Sequence, residues 1–219
     1  AATYPFGRGG FEVSKLEEAT AKRYLPAAEL SKLKSTTASN PQCEYARKLF
    51  LFSYYCYGIS FIDMAMLTAA HIKQMEDGDY IVYKRQKIKR QKGVKPISIK
   101  ITPAIRQLIE SLQAASPTVD DFLLPIVTRS GYTGERLYMH IRTRYSKYQK
   151  YLRLLAEELG IDFHLTSYVS RHTAAMTLQR NHIPREVISQ MLGHADLETT
   201  NIYLDSFDNE VINEAAKVL

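Results

Sequence analysis

The chain has only two cysteines, Cys43 and Cys56, at a spacing that fits neither a disulfide framework nor a metal knuckle. Both fall in one predicted helix, so buried free thiols in a reducing cytoplasm are expected. No apolar run approaches the roughly 18 residues of a membrane span. The longest candidate, LFLFSYYCYGISFIDMAML, is broken by Ser, Gly and Asp and reads as buried helix. The N-terminus, AATYPFGRGG, lacks the charged-then-apolar order of a secretory signal. There are no internal repeats and no low-complexity tract. What remains is a water-soluble chain of 219 residues, 45% hydrophobic, with a mean hydropathy of -0.26. That is enough for one sizeable core.

Acidic residues are missing from two particular stretches. Lys84 to Lys100 contains eight basic residues and no acid, and Arg136 to Arg153 contains six and no acid. The chain has 29 basic and 23 acidic residues, so without these runs 15 basic residues face 23 acidic ones. The net charge of +6 therefore hides two positive patches on an acidic body. Such asymmetry focuses a field on a polyanion. Alternatively, each run is a solvated basic face.

The pattern predicts a mainly α fold with a small antiparallel β-hairpin or sheet, an α+β class, in a single domain over 1–219. Residues 1–24 read as an extended lead-in with one short strand. LPAAELSKLK is a helix with Pro26 in its first turn. In NPQCEYARKLFLFSYYCYG, Asn40 caps, Pro41 opens and Gly58 stops a helix that is apolar on nearly every face from Leu49 to Cys56, hence central. SFIDMAML is a short helix or turn beside it. DYIVYKRQK and VKPISIKI are two strands, with Gly93 in the turn between them. TPAIRQLIESLQAA is an amphipathic helix capped by Thr102, and LYMHIRTRYSKYQKYLRLLAEELG is a long helix ending at Gly160. Three helices follow at about 167–180, 184–192 and 197–204, with Thr166, Pro184 and Asp196 marking their starts and Gly193 stopping the second. A last amphipathic segment closes the chain.

Several chemistries are disfavoured. Metal-dependent phosphodiester cleavage needs carboxylates clustered around the ions, and no such cluster is expected at either basic run. No Gly-rich phosphate loop precedes a strand–helix unit, and no Ser nucleophile elbow is present. A metal-free route remains, in which a nucleophile attacks phosphorus and fixed cations stabilise the added charge. Arginine suits that task, being always charged and able to grip two oxygens. Tyrosine becomes a nucleophile once cations and a base help remove its proton, and its phosphodiester can be reversed without added energy. Arg171, His194 and Tyr203 supply those parts. Taken singly, they read as a surface helix residue, a loop group after a helix and a core aromatic.

Together they resemble the C-terminal signature of the tyrosine recombinase (phage integrase) family. That signature is Arg-His-Thr/Ser, a helix, Leu-Gly-His, then nine residues on a Tyr. Here it is Arg171, His172 and Thr173, then Leu192, Gly193 and His194, then Tyr203. The likeness covers nearly the whole chain from about Tyr4, and among branches it is nearest to integrases of bacterial conjugative and mobilisable elements.

The resemblance implies the catalytic-domain fold and site-specific cleavage and rejoining of duplex DNA through a 3′-phosphotyrosyl link, serving integration or excision of a mobile element. It implies no cofactor, no metal and no membrane. Tyr203 is the nucleophile, Arg171 and His194 bind the phosphate, and Lys87 is the general acid, with Lys89 its nearest competitor. Lys84, Arg85, Lys89, Arg90, Lys92, Arg142, Arg144 and Lys147 are the expected DNA-binding residues.

Two positions depart from the family. YGISFIDM aligns with the motif of the first catalytic arginine and puts Ser60 in its place, with Asp63 matching the structural acid. Tyr168 replaces the His of His-x-x-Arg, one helical turn before Arg171. It can donate a hydrogen bond to the phosphate but is a weak base. The mobile-element branch often lacks the first arginine. Arg47 is then expected to reach into the site as its substitute; otherwise Arg47 and Lys48 are first-turn surface residues. His172 is expected to pack between helices, and His164 has no assigned task.

The partners implied are double-stranded DNA, further copies of the chain in a tetramer, and accessory DNA-bending proteins. The location implied is the bacterial cytoplasm, at the nucleoid. An N-terminal core-binding domain outside this chain is expected to close the clamp on DNA. The segment over 205–219, around Val211 and Ile212, is expected to dock on a neighbouring protomer or on its own domain. The rival readings are a type IB topoisomerase-like nicking and religating enzyme, a non-catalytic DNA-binding relative, and an RNA-binding protein.

Overall fold

The computed structural model describes residues 24–89 and 92–194. The expected lead-in over 1–24 therefore lies almost wholly outside the described residues. So do the predicted 197–204 helix, the final segment, Arg90 and Tyr203.

The fold is mainly helical, with one small antiparallel sheet. Its centre is α2 (Pro41–Tyr55), which begins where Asn40 accepts hydrogen bonds from the amides of Gln42 and Cys43 and Pro41 takes the first turn. Leu49, Phe50, Phe52 and Ser53 are buried in succession, so all sides of this helix are covered. It packs against α1 (Ala27–Ser35), α4 (Pro103–Ala115), α5 (Gly134–Glu158) and α6 (Ser167–Arg180). The long α5 buries a stripe of Ile141, Tyr148, Leu152 and Leu155, whose three- to seven-residue spacing keeps them on one face. Off that stripe, five of the six cations of the second basic run are exposed and Arg144 is half-buried.

After α3 (Phe61–Ala65) come β1 (Ile72–Met75), β2 (Gly78–Tyr83) and β3 (Ile97–Lys100) in the order β1-β2-β3. The register pairs Ile72 with Ile81, and Tyr83 with Ile97. Alternation turns Ile81, Tyr83, Ile97 and Ile99 inward. Two strands were expected in this region; β1 is a third beside them. The first basic run was also expected to stay in strand through Lys87, but pairing stops at Tyr83, and 84–89 form the start of the β2–β3 connection.

The β1–β2 turn and the start of β2 carry an acidic group, Glu76-Asp77-Gly78-Asp79, within six residues of the first basic run, contrary to expectation. It is not free to gather ions: Asp77 pairs with Lys100 at 2.9 Å, and Asp79 with Arg106 at 2.7 Å. The turn also sits at the opposite end of β2 from Tyr83.

A second, smaller core of Ala175, Met176, Ile188 and Leu192 joins α6 to α7 (Arg185–Leu192), and α7 rests on β3. Both cysteines are buried and unbridged, as expected. Burial pushes the Cys56 thiol well above its ordinary range.

Candidate active-site cleft

Three chain segments deliver the site: the turn after α2, the start of the β2–β3 connection, and α6 with the end of α7. The turn after α2 is tightly wound. Tyr57 and Gly58 both take positive φ, 57° and 71°. This reversal aims the Gly58 carbonyl at α6. Beneath it, Ser53 Oγ donates to Ile59 O at 2.8 Å and lies 2.8 Å from Ser170 Oγ. Ser170 Oγ also reaches Ser167 O at 2.8 Å, so the two buried hydroxyls share carbonyl acceptors and tie α2 to the residue before Arg171.

Arg171 is 6% exposed. Its Nη1 donates to Gly58 O at 3.1 Å and its Nη2 to Leu192 O at 2.6 Å. Nη2 also lies 2.9 Å from His194 Nε2. An arginine only donates, so that nitrogen must accept and the proton of a neutral His194 sits on Nδ1. Burial first, then the neighbouring Arg85 charge, pull the Arg171 pKa down to about 10, which leaves it charged at neutral pH. Gly193 takes the left-handed conformation that ends α7, so three consecutive residues, Leu192 to His194, turn around the guanidinium.

Gly58 and Arg171 border a cleft of about 410 Å³ whose lining also includes Ser60, Arg85, Arg142 and Tyr168. Tyr168 is 54% exposed and packs edge-on against the His172 ring at 4.8 Å. Tyr83, near Arg171, is buried, and burial followed by the Asp63 charge pushes its phenol far up. Enclosed in the core under the sheet, it is out of reach of a substrate.

Ser60 is the N-cap of α3. Its Oγ accepts from the Asp63 amide at 3.2 Å and donates to Asp63 Oδ2 at 2.6 Å. Asp63 Oδ1 accepts from the Gln86 amide at 2.7 Å, fastening the start of the β2–β3 connection to α3. Lys87 and Lys89 are exposed in that connection, and Lys84 and Lys92 are exposed as well.

Arg47 does not reach the cleft, contrary to the sequence-based expectation. It is 9% exposed and forks onto Glu44, with Nε and Nη2 each 2.7 Å from a carboxylate oxygen, while Nη1 donates to Leu33 O at 2.7 Å. Nor is it a surface residue; it closes the junction of α1 and α2. Burial raises the Glu44 pKa, but the Arg47 hydrogen bonds, the Ala38 amide and the nearby charges outweigh it and hold the carboxyl below its ordinary 4.5. Stability from this pair is therefore complete above that value and lost as pH falls through the lower folded one. Arg47→Ala is expected to lower stability by about 3 kcal/mol, because it leaves Glu44 half-buried without its partner. It is also expected to flatten the acid dependence while leaving the activity of the folded protein unchanged. Urea unfolding at neutral pH and in acid, run beside a cleavage assay, checks this.

The α5 cations divide as well. Arg142 is exposed along the cleft. Arg144, about 200° further round the helix, instead donates to Ile126 O at 3.1 Å and lies over the Tyr45 ring. Lys147 is exposed on that second side. Arg85 is the residue whose place the sequence left unspecified. Named there as one of several DNA contacts, it is half-buried in the cleft, with Nη1 donating to Gly193 O at 3.1 Å.

A family model described as the phage integrase family matches residues 23–210. A tyrosine recombinase of Pseudothermotoga lettingae is 25% identical over 134 residues, which make up 61% of this chain and 42% of that protein. The chain thus spans less than half of that relative's length. Among solved structures, XerA recombinase superposes with a TM-score of 0.62 at 21% identity, over 90% of this chain and 64% of the other. The Tn1549 transposon integrase, solved in complex with transposon right end DNA, gives 0.60 at 12% identity, over 95% and 70%. At these identities the two structures share the fold.

Proposed function

Since this chain belongs to the phage integrase family, we propose that it is the catalytic domain of a site-specific DNA recombinase that integrates and excises a mobile element. The observation that carries the reading is the buried Arg171 guanidinium, held by two carbonyls and His194 at the wall of a cleft. An arginine fixed this firmly needs no reorganisation when charge builds on a phosphate oxygen.

In this reading the Tyr203 phenol oxygen attacks the scissile phosphorus. Arg171 and the Nδ1–H of His194 hold the non-bridging oxygens, and the Tyr168 hydroxyl adds a donor. The Tyr203 phenol gives its proton to solvent as it attacks, while the Asp63 carboxylate serves to hold Ser60 and the Gln86 amide. Lys87 gives its proton to the departing 5′ oxygen, leaving a 3′-phosphotyrosyl link and a free 5′ hydroxyl. That hydroxyl attacks the link on the partner strand and returns the phenol. Two such rounds, through a four-way junction, exchange duplexes with no cofactor and no metal.

DNA lies across the cleft, against Lys84, Arg85, Lys89 and Lys92 on one side and Arg142 on the other. Arg144 and Lys147 flank a separate hollow and contribute through the field of α5. A core-binding domain outside this chain closes the clamp, four protomers assemble on two duplexes, and the segment around Val211 and Ile212 docks between them. DNA-bending proteins assist where sites are distant. The protein acts in the bacterial cytoplasm at the nucleoid; no helix among the described residues is long and apolar enough to cross a membrane.

The intact protein, incubated with attachment-site DNA nicked just beyond the cleavage point, is expected to accumulate a covalent protein–DNA adduct that Tyr203→Phe abolishes. Supercoil relaxation without exchange between specific sites would favour the topoisomerase-like reading. Binding with no adduct would favour a non-catalytic one.

A further inference from the structure

We propose that Arg85 is a second catalytic arginine, binding the same phosphate as Arg171 and supplying the positive charge that Ser60 cannot. This rests on the recombinase reading above. A phosphodiester carries one negative charge, and attack by a phenolate brings a second. Arg171 answers one of them. Ser60, at the cleft's rim, is neutral and occupied as a helix cap.

Three observations point to Arg85. It lines the same cleft as Arg171. The two guanidiniums are fastened to successive carbonyls of one turn, Arg171 to Leu192 O and Arg85 to Gly193 O. Their charges also act on each other: after burial, Arg85 is the largest influence lowering the Arg171 pKa. Like charges set this close repel, and an anion between them relieves the repulsion. Arg142, the other arginine of the cleft, is exposed on α5 and has no such anchor to the α7 turn.

The backbone beside Arg85 is fixed too. The Gln86 amide is bound by Asp63, itself 3% exposed and held by Ser60. The serine in the arginine's place therefore orders the segment that carries the substitute. Arg85 and Lys87 leave the same short turn, so one fastened segment carries both the phosphate ligand and the proposed general acid.

The simplest competing role is structural: Arg85 caps the C-terminus of α7 through Gly193 O. Substrate charge separates the two. On ordinary nicked DNA, Arg85→Ala is expected to slow adduct formation about 10²- to 10³-fold, the usual effect of losing one preorganised donor to a transition-state oxyanion. A methylphosphonate at the scissile position replaces one charged oxygen by methyl, so the transition state needs one cation fewer. On that DNA the variant is expected to cleave nearly as fast as the unaltered protein. Arg85→Gln, which keeps a donor for Gly193 O without the charge, is expected to behave the same way and guards against loss of folding in the alanine variant. An equal defect on both DNAs, or none on either, would overturn the proposal. If the unaltered protein forms no adduct on ordinary DNA, the recombinase reading fails and takes this proposal with it.

Discussion

Arg171→Ala is expected to reduce single-turnover strand cleavage about a thousandfold, the upper end of what removal of one oxyanion donor costs. The loss combines two effects. In the proposed reading the substrate phosphate loses a buried cation whose fork can grip two oxygens. The Gly58 and Leu192 carbonyls also lose their donors, and a buried group left unpaired costs about 1–3 kcal/mol. Arg171→Lys tells them apart. Lysine keeps the charge but cannot span both carbonyls and the phosphate, so it is expected to recover part of the stability while cleavage stays at least about a hundredfold down. Thermal unfolding in parallel with cleavage on nicked DNA checks the pair. Near-normal cleavage by the folded lysine variant would show that the guanidinium geometry is not what the site uses.

Gly58→Ala is expected to be the most damaging single-methyl change in the described structure, costing about 3 kcal/mol or more. Its φ of 71° disfavours any side chain, and an added Cβ would collide with the Cα and Cβ of Arg171. Backbone Cα cannot swing aside, so either the turn unwinds or α6 shifts, and the carbonyl that holds Arg171 moves with it. Gly193→Ala is the informative comparison. It has a similar φ of 63°, but its Cβ would meet the δ-methyl of Ile97, the end of a flexible side chain. It is expected to cost about 1–2 kcal/mol, mostly backbone strain. Denaturant unfolding of both variants measures the difference, and equal costs would contradict the close packing of the α2 turn on α6.

These two residues also mark how far the sequence could be read. The helix stops and caps were legible because they rest on local chemistry: Asn40 with Pro41, Thr102 with Pro103, and Gly193 after an apolar-periodic stretch all stand where expected. The hairpin strands were legible from their alternation. β1 was not, because Ile72–Met75 is short and mostly exposed and takes its strand identity from pairing with β2.

Arg47 shows a different limit. Its position near the cleft was inferred from the helix that carries it. But α2 is 15 residues long, and Arg47 lies nine residues before the capping Cys56, about 13 Å along the axis. The signal for its real partner was present one turn away, in Glu44 at i−3. Arg85 was hidden for the opposite reason. Among eight cations in seventeen residues, composition cannot say which one turns inward. That depends on where the connection after β2 meets Gly193, a contact between residues 108 apart in sequence.

The central claim is that cleavage proceeds through a phosphodiester between Tyr203 and the 3′ end of the cut strand, formed without metal. The direct measurement is to trap the adduct on nicked attachment-site DNA in the presence of a chelator, digest protein and DNA, and identify the linked peptide and the linked nucleotide terminus by mass spectrometry. The account predicts one modified peptide, containing Tyr203 and carrying a 3′-phosphoryl nucleotide. Linkage through Tyr168 or another exposed phenol of the cleft, Tyr138 or Tyr145, a 5′-phosphoryl attachment, or an adduct that forms only when metal is restored would contradict it.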